Sequence, residues 1–161
     1  MDLPKRKPTR LKEYDYSTPG AYFITICVKE KKKILSKIIV GDDALIVPQN
    51  NLSDIGFICE KYINNINIKY ENISVDKYVI MPNHIHLIIF IYGTMKASSP
   101  TKNVQSIVRS LKKKVTKEIG HSIWQRSYHD HIIRGEKDYR KIWEYVDTNV
   151  IRWEKDCFYS E

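Results

Sequence analysis

The stretch Tyr78-Val79-Ile80-Met81-Pro82-Asn83-His84-Ile85-His86-Leu87-Ile88-Ile89-Phe90 decides how the chain is read. Two apolar runs rich in β-branched residues, 73–81 and 84–92, flank Met81-Pro82-Asn83. They read as consecutive strands joined by a tight turn. Side chains alternate faces along a strand, so His84 and His86, two residues apart, point the same way with their rings side by side. Two imidazoles at the start of a buried strand are costly unless something satisfies them. A shared divalent metal would do so, and so would two hydrogen-bonded histidines at a strand end.

On the N-terminal side, the Pro19-Gly20 turn signal precedes 21–28, a run of aromatic and β-branched residues that reads as a strand. The charged run Lys29-Glu30-Lys31-Lys32-Lys33 reads as a turn, and 38–40 or 45–47 as a weaker second strand. A helix should begin after Asn51 or Ser53. Ile55, Ile58, Cys59, Tyr62 and Ile63 recur there at helical spacing, with Ser53 a candidate N-cap.

On the C-terminal side, 93–100 reads as a loop. In 101–120, Val104, Ile107, Val108, Leu111, Val115 and Ile119 keep the helical period, with Gly120 as the stop. Lys102, Arg109, Lys112, Lys113, Lys114 and Lys117 give that helix a basic outer side. An irregular or extended piece, 122–134, leads to a last helix over 137–152. With Tyr139 at zero, Ile142, Trp143, Val146 and Val150 fall within about 60° of it and form the core stripe. Tyr145 falls at about −120° and Asn149 at about −80°, one turn apart on a flank shared with Lys141 and Arg152. Tyr145 is therefore either a surface tyrosine or a nucleophile among cations, and helix geometry alone leaves both open. The expected fold class is α+β, an antiparallel β-sheet with helices packed on one face. Residues 13–161 form one domain behind a basic arm over 1–12.

Composition bounds the function. With 42% apolar residues the 161-residue chain can bury a core, and its longest apolar run, Leu87 to Tyr92, excludes a transmembrane helix. The charged opening has no apolar segment behind it, so no secretory signal is expected. Cys27, Cys59 and Cys157 form neither a zinc-type pair nor a disulfide framework, which suits a reducing, intracellular compartment. Lys and Arg number 27 against 19 acids, a formal charge of +8, and point to a polyanion such as nucleic acid.

Three segments taken together carry a resemblance: Pro82-Asn83-His84-Ile85-His86-Leu87; Trp124-Gln125-Arg126-Ser127-Tyr128-His129-Asp130-His131-Ile132-Ile133-Arg134; and Glu136-Lys137-Asp138-Tyr139 leading to Tyr145 and Asn149. The chain resembles the single-tyrosine HUH transposases, most of all those associated with repetitive extragenic palindromes (REP), from about Tyr14 to Trp153. The resemblance implies a ferredoxin-like or RRM-like HUH fold with the histidines on a central strand and the tyrosine on a late helix. It implies His84, His86 and Asn149 as metal ligands, Mg²⁺ or Mn²⁺ as the ion, and Tyr145 as the nucleophile, with Tyr128 and Tyr139 set aside. One departure is visible: relatives commonly carry Asn-Pro after the tyrosine, whereas Val150 follows Asn149 here, so the helix is expected to run further.

The function implied is a metal-dependent transesterase that cuts and rejoins single-stranded DNA beside hairpins through a 5′-phosphotyrosine. The expected location is the bacterial cytoplasm, at the nucleoid, and the protein acts as a monomer or homodimer without a membrane. Lys5, Arg6, Lys7, Arg109, Lys112, Lys113, Lys114 and Arg126 are the candidate DNA contacts. Trp124, Gln125 and His131 match the family's motif and shape the site, Trp124 serving equally as core anchor or base-stacking surface. Three other readings stay open: a domesticated hairpin-binding module without strand transfer, a phosphodiesterase that uses water, and a small-molecule metalloenzyme, the last disfavoured by the charge.

Overall fold

The computed structural model describes residues 10–43, 45–93 and 102–161. Its centre is an antiparallel sheet of four strands: β1 (Gly20–Cys27), β4 (Ile73–Ile80), β5 (His84–Ile91) and β6 (His129–Ile133), in the order β4-β5-β1-β6. The alternation of β1 and β5 sorts two cores. Tyr22, Ile24 and Ile26 of β1 and Ile85, Leu87, Ile89 and Ile91 of β5 are buried with α1 (Asp54–Lys69) and α2 (Val104–Ile119). Those helices contribute Cys59, Ile63 and Ile66, and Val104, Ile107, Val108, Leu111 and Val115. On the other face Ile88 meets Ile142 and Val146 of α3 (Glu136–Asp147), with Phe23, Val79, Tyr139 and Tyr145 around them. The expectation of helices on one face is corrected: α3 covers the opposite one, because its apolar stripe docks where β5 presents Ile88 in line with the histidines.

Local chemistry sets the element ends. Ser53 caps α1, its hydroxyl accepting from the Gly56 N–H at 3.1 Å. Gly56, one turn in, presses against backbone: a Cβ there would lie 2.1 Å from the Leu35 carbonyl oxygen. Asn103 caps α2, and Gly120 ends it in the left-handed region at φ 87°. A separate hairpin pairs β2 (Ser36–Ile39) with β3 (Gln49–Leu52). The apolar run Leu45-Ile46-Val47 is no strand; it lies exposed in the connection between them.

The last helix stops at Asp147 rather than running on to Arg152, a second correction. Thr148 closes it, its hydroxyl donating to the Glu144 carbonyl at 2.8 Å, the back-bonding that favours a helix end. The chain continues through turns into a 3-10 segment, Trp153–Lys155, whose buried Trp153 ring lies 6.0 Å from that of His84. This fold-back returns residues 156–158 to the mouth of β5. Among the described residues no helix is long and apolar enough to cross a membrane.

Candidate active site

Residues His84 and His86 share the α3 face of β5, with ring centroids 4.5 Å apart, and both are fully buried. Each Nδ1 has a partner. Asn83 donates its amide to the Phe158 carbonyl at 2.8 Å, so its oxygen is the atom 2.7 Å from His84 Nδ1. That network assigns the proton of His84 to Nδ1 and turns the Nε2 lone pair into the site. His86 Nδ1 lies 2.8 Å from Thr25 Oγ1 on the neighbouring strand. The two Nε2 atoms then face each other at 3.0 Å. Without a metal, His86 must donate from its own Nε2 and accept from Thr25. Burial pushes both imidazoles down, His84 to about 3 with His86 beside it adding to the effect, so both are neutral at pH 7.

The third group is Asp156. Its Oδ2 stands 3.9 Å from His84 Nε2 and 4.0 Å from His86 Nε2, and the three potential ligand atoms lie within 4.8 Å of one another. Oδ2 also accepts from Asn149 Nδ2 at 2.7 Å and from the Tyr145 hydroxyl at 3.2 Å, while Oδ1 accepts from the Phe158 N–H at 2.7 Å. Burial alone would raise this carboxyl. Its interactions with His86, the Phe158 N–H and Asn149 outweigh that and hold it well below the usual carboxylate range. Asn149 is 2% exposed, and its Oδ1 has no hydrogen-bond partner.

This donor set suits a divalent cation. Neighbouring ligands about 2.1 Å from an octahedral ion are about 3.0 Å apart, which matches the Nε2–Nε2 separation. The Asp156 oxygen would need to close by roughly 1 Å on the same measure. The orphaned Asn149 oxygen, within the same cleft, adds an acceptor that a cation or a bound water would satisfy.

Tyr145 stands edge-on to His86, ring centroids 5.3 Å apart, and to Phe23 at 6.0 Å. Burial first, and then the Asp156 charge, pushes its phenol above the ordinary value, so the hydroxyl rests protonated on the carboxylate. It opens on a cleft of about 390 Å³ lined by Tyr145, Asn149, Arg152, Lys155 and Asp156.

The remaining residues singled out in the sequence scatter into three places. Arg109, Lys112 and Arg126 line a cavity of about 490 Å³ together with Arg10, Gln105 and Tyr128. There the Arg10 guanidinium stacks 3.8 Å above the Tyr128 ring. Lys112 is committed within it: Nζ donates to the Gln125 carbonyl at 3.0 Å and to that of Ser127, and burial pushes its pKa down to about 8. Lys113 is exposed on α2, and the Lys114 ammonium lies 5.7 Å from the Tyr62 ring. Trp124 is a core anchor, buried with its indole N–H on the Lys112 carbonyl at 3.2 Å. Gln125 is exposed, its backbone N–H on the Cys27 carbonyl at 2.8 Å. His131 latches the start of α3 through Asp138 at 2.8 Å. Lys5, Arg6 and Lys7 lie outside the described residues, as does most of the arm over 1–12.

No family model matches the chain. A Haemophilus influenzae protein of uncharacterised role is 37% identical to it, the match covering 97% of this chain and 94% of that one. A second protein of that organism, whose name assigns it provisionally to the REP-associated tyrosine transposases, is 24% identical over 86% of this chain and 74% of its own length. Among solved structures, a REP-associated tyrosine transposase bound to a REP hairpin shares the fold. Its TM-score is 0.62 at 22% identity, covering 89% of this chain and 74% of that one. The chain is thus similar, in sequence and in fold, to the REP-associated tyrosine transposases. That similarity supports a transposase-type function, and the antiparallel sheet of four strands with three helices matches the HUH fold of the hairpin-bound structure. The structure brings together His84, His86, Tyr145 and Asn149, all singled out in the sequence, and adds Asp156, Thr25 and Asn83, which were not. Asn83 stood in the quoted motif and its tie to Phe158 was not legible there. Asp156 follows no periodic or motif signal and reaches the site only through the fold-back.

Proposed function

We propose that the protein is a metal-dependent transesterase that cleaves and rejoins single-stranded DNA beside hairpins. The observation that carries this reading is one carboxylate oxygen, Asp156 Oδ2, that meets the Tyr145 hydroxyl and faces two imidazole nitrogens 3.0 Å apart. DNA binding alone calls for no such constellation. His84, His86 and Asp156 would hold the ion, with Asn149 Oδ1 as a further donor. When bound, Mg²⁺ or Mn²⁺ would polarise the scissile phosphate and offset the charge of the transition state.

The chain's own residues do the rest. Asn83 and Thr25 orient the two imidazoles. Phe23 and His86 hold the Tyr145 ring edge-on, so its oxygen points into the cleft. That oxygen attacks phosphorus in line, its proton leaving to solvent water; the P–O3′ bond breaks, and the 3′-oxygen takes a proton from solvent and departs as a hydroxyl. The 5′-phosphate stays on Tyr145, and reversal by another 3′-hydroxyl rejoins the strand. The cavity of Arg10, Arg109 and Arg126 offers cations to a DNA backbone, with Lys112 holding the loop that presents Arg126. The REP hairpin bound by the solved relative supports hairpin DNA as the partner. A cytoplasmic, nucleoid-bound protein, monomer or homodimer, is part of the same proposal.

The test mixes the protein with hairpin-bearing single strands from its own genomic flanks and runs a denaturing gel. A DNA-shifted protein band is expected with Mn²⁺ or Mg²⁺ and not with chelator or in Tyr145→Phe. Cleavage surviving in Tyr145→Phe would mean a water nucleophile. Hairpin binding without cleavage would mean a binding module, and activity with Zn²⁺ alone would refute the choice of ion.

A further inference from the structure

The residues between α3 and Asp156 are not a passive link. Hydrogen bonds run through them, from the Arg152 N–H to Thr148 at 3.1 Å, from the Lys155 N–H to Arg152 at 2.9 Å and from the Asp156 N–H to Trp153 at 3.0 Å. Trp153 is buried against the His84 ring. The anchored turn leaves Arg152 and Lys155 exposed on the wall of the cleft that holds Tyr145. Neither side chain has a hydrogen-bond or ion-pair partner among the described residues. Other cations at the protein's surface are engaged: Lys61 with Glu118, Lys77 with Asp147, Arg140 with Glu136.

The cleft therefore has two chemically different ends. One end is lined by Asp156 and Asn149, whose Oδ2 and orphaned Oδ1 present lone pairs, with the buried imidazoles behind Asp156, and suits a cation. The other end presents a guanidinium and an ammonium and suits an anion. Tyr145 opens on the same cleft.

We infer that Arg152 and Lys155 form a phosphodiester-binding subsite that seats the scissile phosphate of a single strand against Tyr145. The inference rests on the proposed reading of the site and adds to it two residues that hold substrate. Arg152 takes two non-bridging oxygens through its planar fork, and Lys155 supplies a point charge to the neighbouring phosphate.

The test separates this subsite from the chemistry. In the full chain carrying Tyr145→Phe, with chelator present, binding of a labelled unstructured oligothymidine strand is followed by anisotropy across a salt series. Each lost contact to a single strand lowers the slope of log K against log salt by about 0.7. Arg152→Ala and Lys155→Ala together should lower it by about 1.4 and weaken binding at fixed salt. Lys37→Ala, an exposed cation on the separate hairpin, should leave both unchanged. A slope unaltered in the double variant, or altered equally by Lys37→Ala, would overturn the subsite. With Tyr145 intact, Lys155→Glu should slow adduct formation at least tenfold while Mn²⁺ affinity, read by electron paramagnetic resonance, stays within twofold. An unslowed adduct would also overturn it. If the unsubstituted protein forms no adduct, the transesterase reading fails, and the salt slope still decides the subsite.

Discussion

Oδ2 of Asp156 receives Tyr145 and Asn149 and faces both histidines, so changing that one residue reports on the whole site. Asp156→Asn keeps the side chain's shape and removes its charge. Mn²⁺ affinity should fall at least tenfold, measured by calorimetry, and an unchanged affinity would leave the imidazoles as the principal ligands. The histidines themselves predict a pH dependence in the metal-free protein. Their folded values lie below the ordinary one, His84 at about 3, so the unfolded chain binds protons first as pH falls. Stability from this source is full above about pH 6.5 and is lost as pH falls toward about 3. Urea unfolding should show a loss of about 2 kcal/mol or more between pH 7 and pH 5, reduced in His84→Gln. Equal stability at both pH values would mean the imidazoles are not held neutral.

The secondary elements differ in how far local sequence determines them. In β1, α1 and α2, period and caps agree with burial, and their bounds fall within a few residues of expectation. β6 is obscured because His129-Asp130-His131 carries no apolar alternation. It is an edge strand, paired on one side to β1, and tertiary pairing rather than propensity forms it. The end of α3 is similarly hidden, since no Gly or Pro follows Asp147 and Thr148 does the work through its hydroxyl. Leu45-Ile46-Val47 errs the other way, apolar enough for a strand yet left in a connection with nothing to pair it. Gly56 in the first turn of α1 gives an element-scale test. Alanine is the better helix former by about 1 kcal/mol, but its Cβ would collide with the Leu35 carbonyl. Gly56→Ala should therefore destabilise the protein by about 2 kcal/mol or more, read from urea midpoints, and a stabilised variant would refute the close approach.

For the whole molecule, the site draws on β1, β5, α3 and the segment beyond it, so it exists only when the chain is folded. An ion bound there must then stabilise the fold. At a hundredfold excess over the dissociation constant, Mn²⁺ should add about 2.7 kcal/mol and raise the melting temperature by several degrees. The increment should vanish in a His84→Ala, His86→Ala variant; a shift that persists there would place the ion elsewhere. The same long-range assembly explains why the histidine pair was legible and Asp156 was not. A pair two residues apart declares its geometry through the strand repeat, whereas Asp156 acquires its neighbours from residues far off in the chain, through Trp153 and Phe158 packing on His84.

The order of the site's parts along the chain also bears on synthesis. A ribosome delivers β5 with its two histidines well before Tyr145, and Asp156 after both. A nascent chain can thus have its central strand made while it lacks both Tyr145 and the carboxylate. The full set of site residues exists only once Asp156 has been added, so a polypeptide stalled before it carries the histidine pair without the carboxylate that faces it.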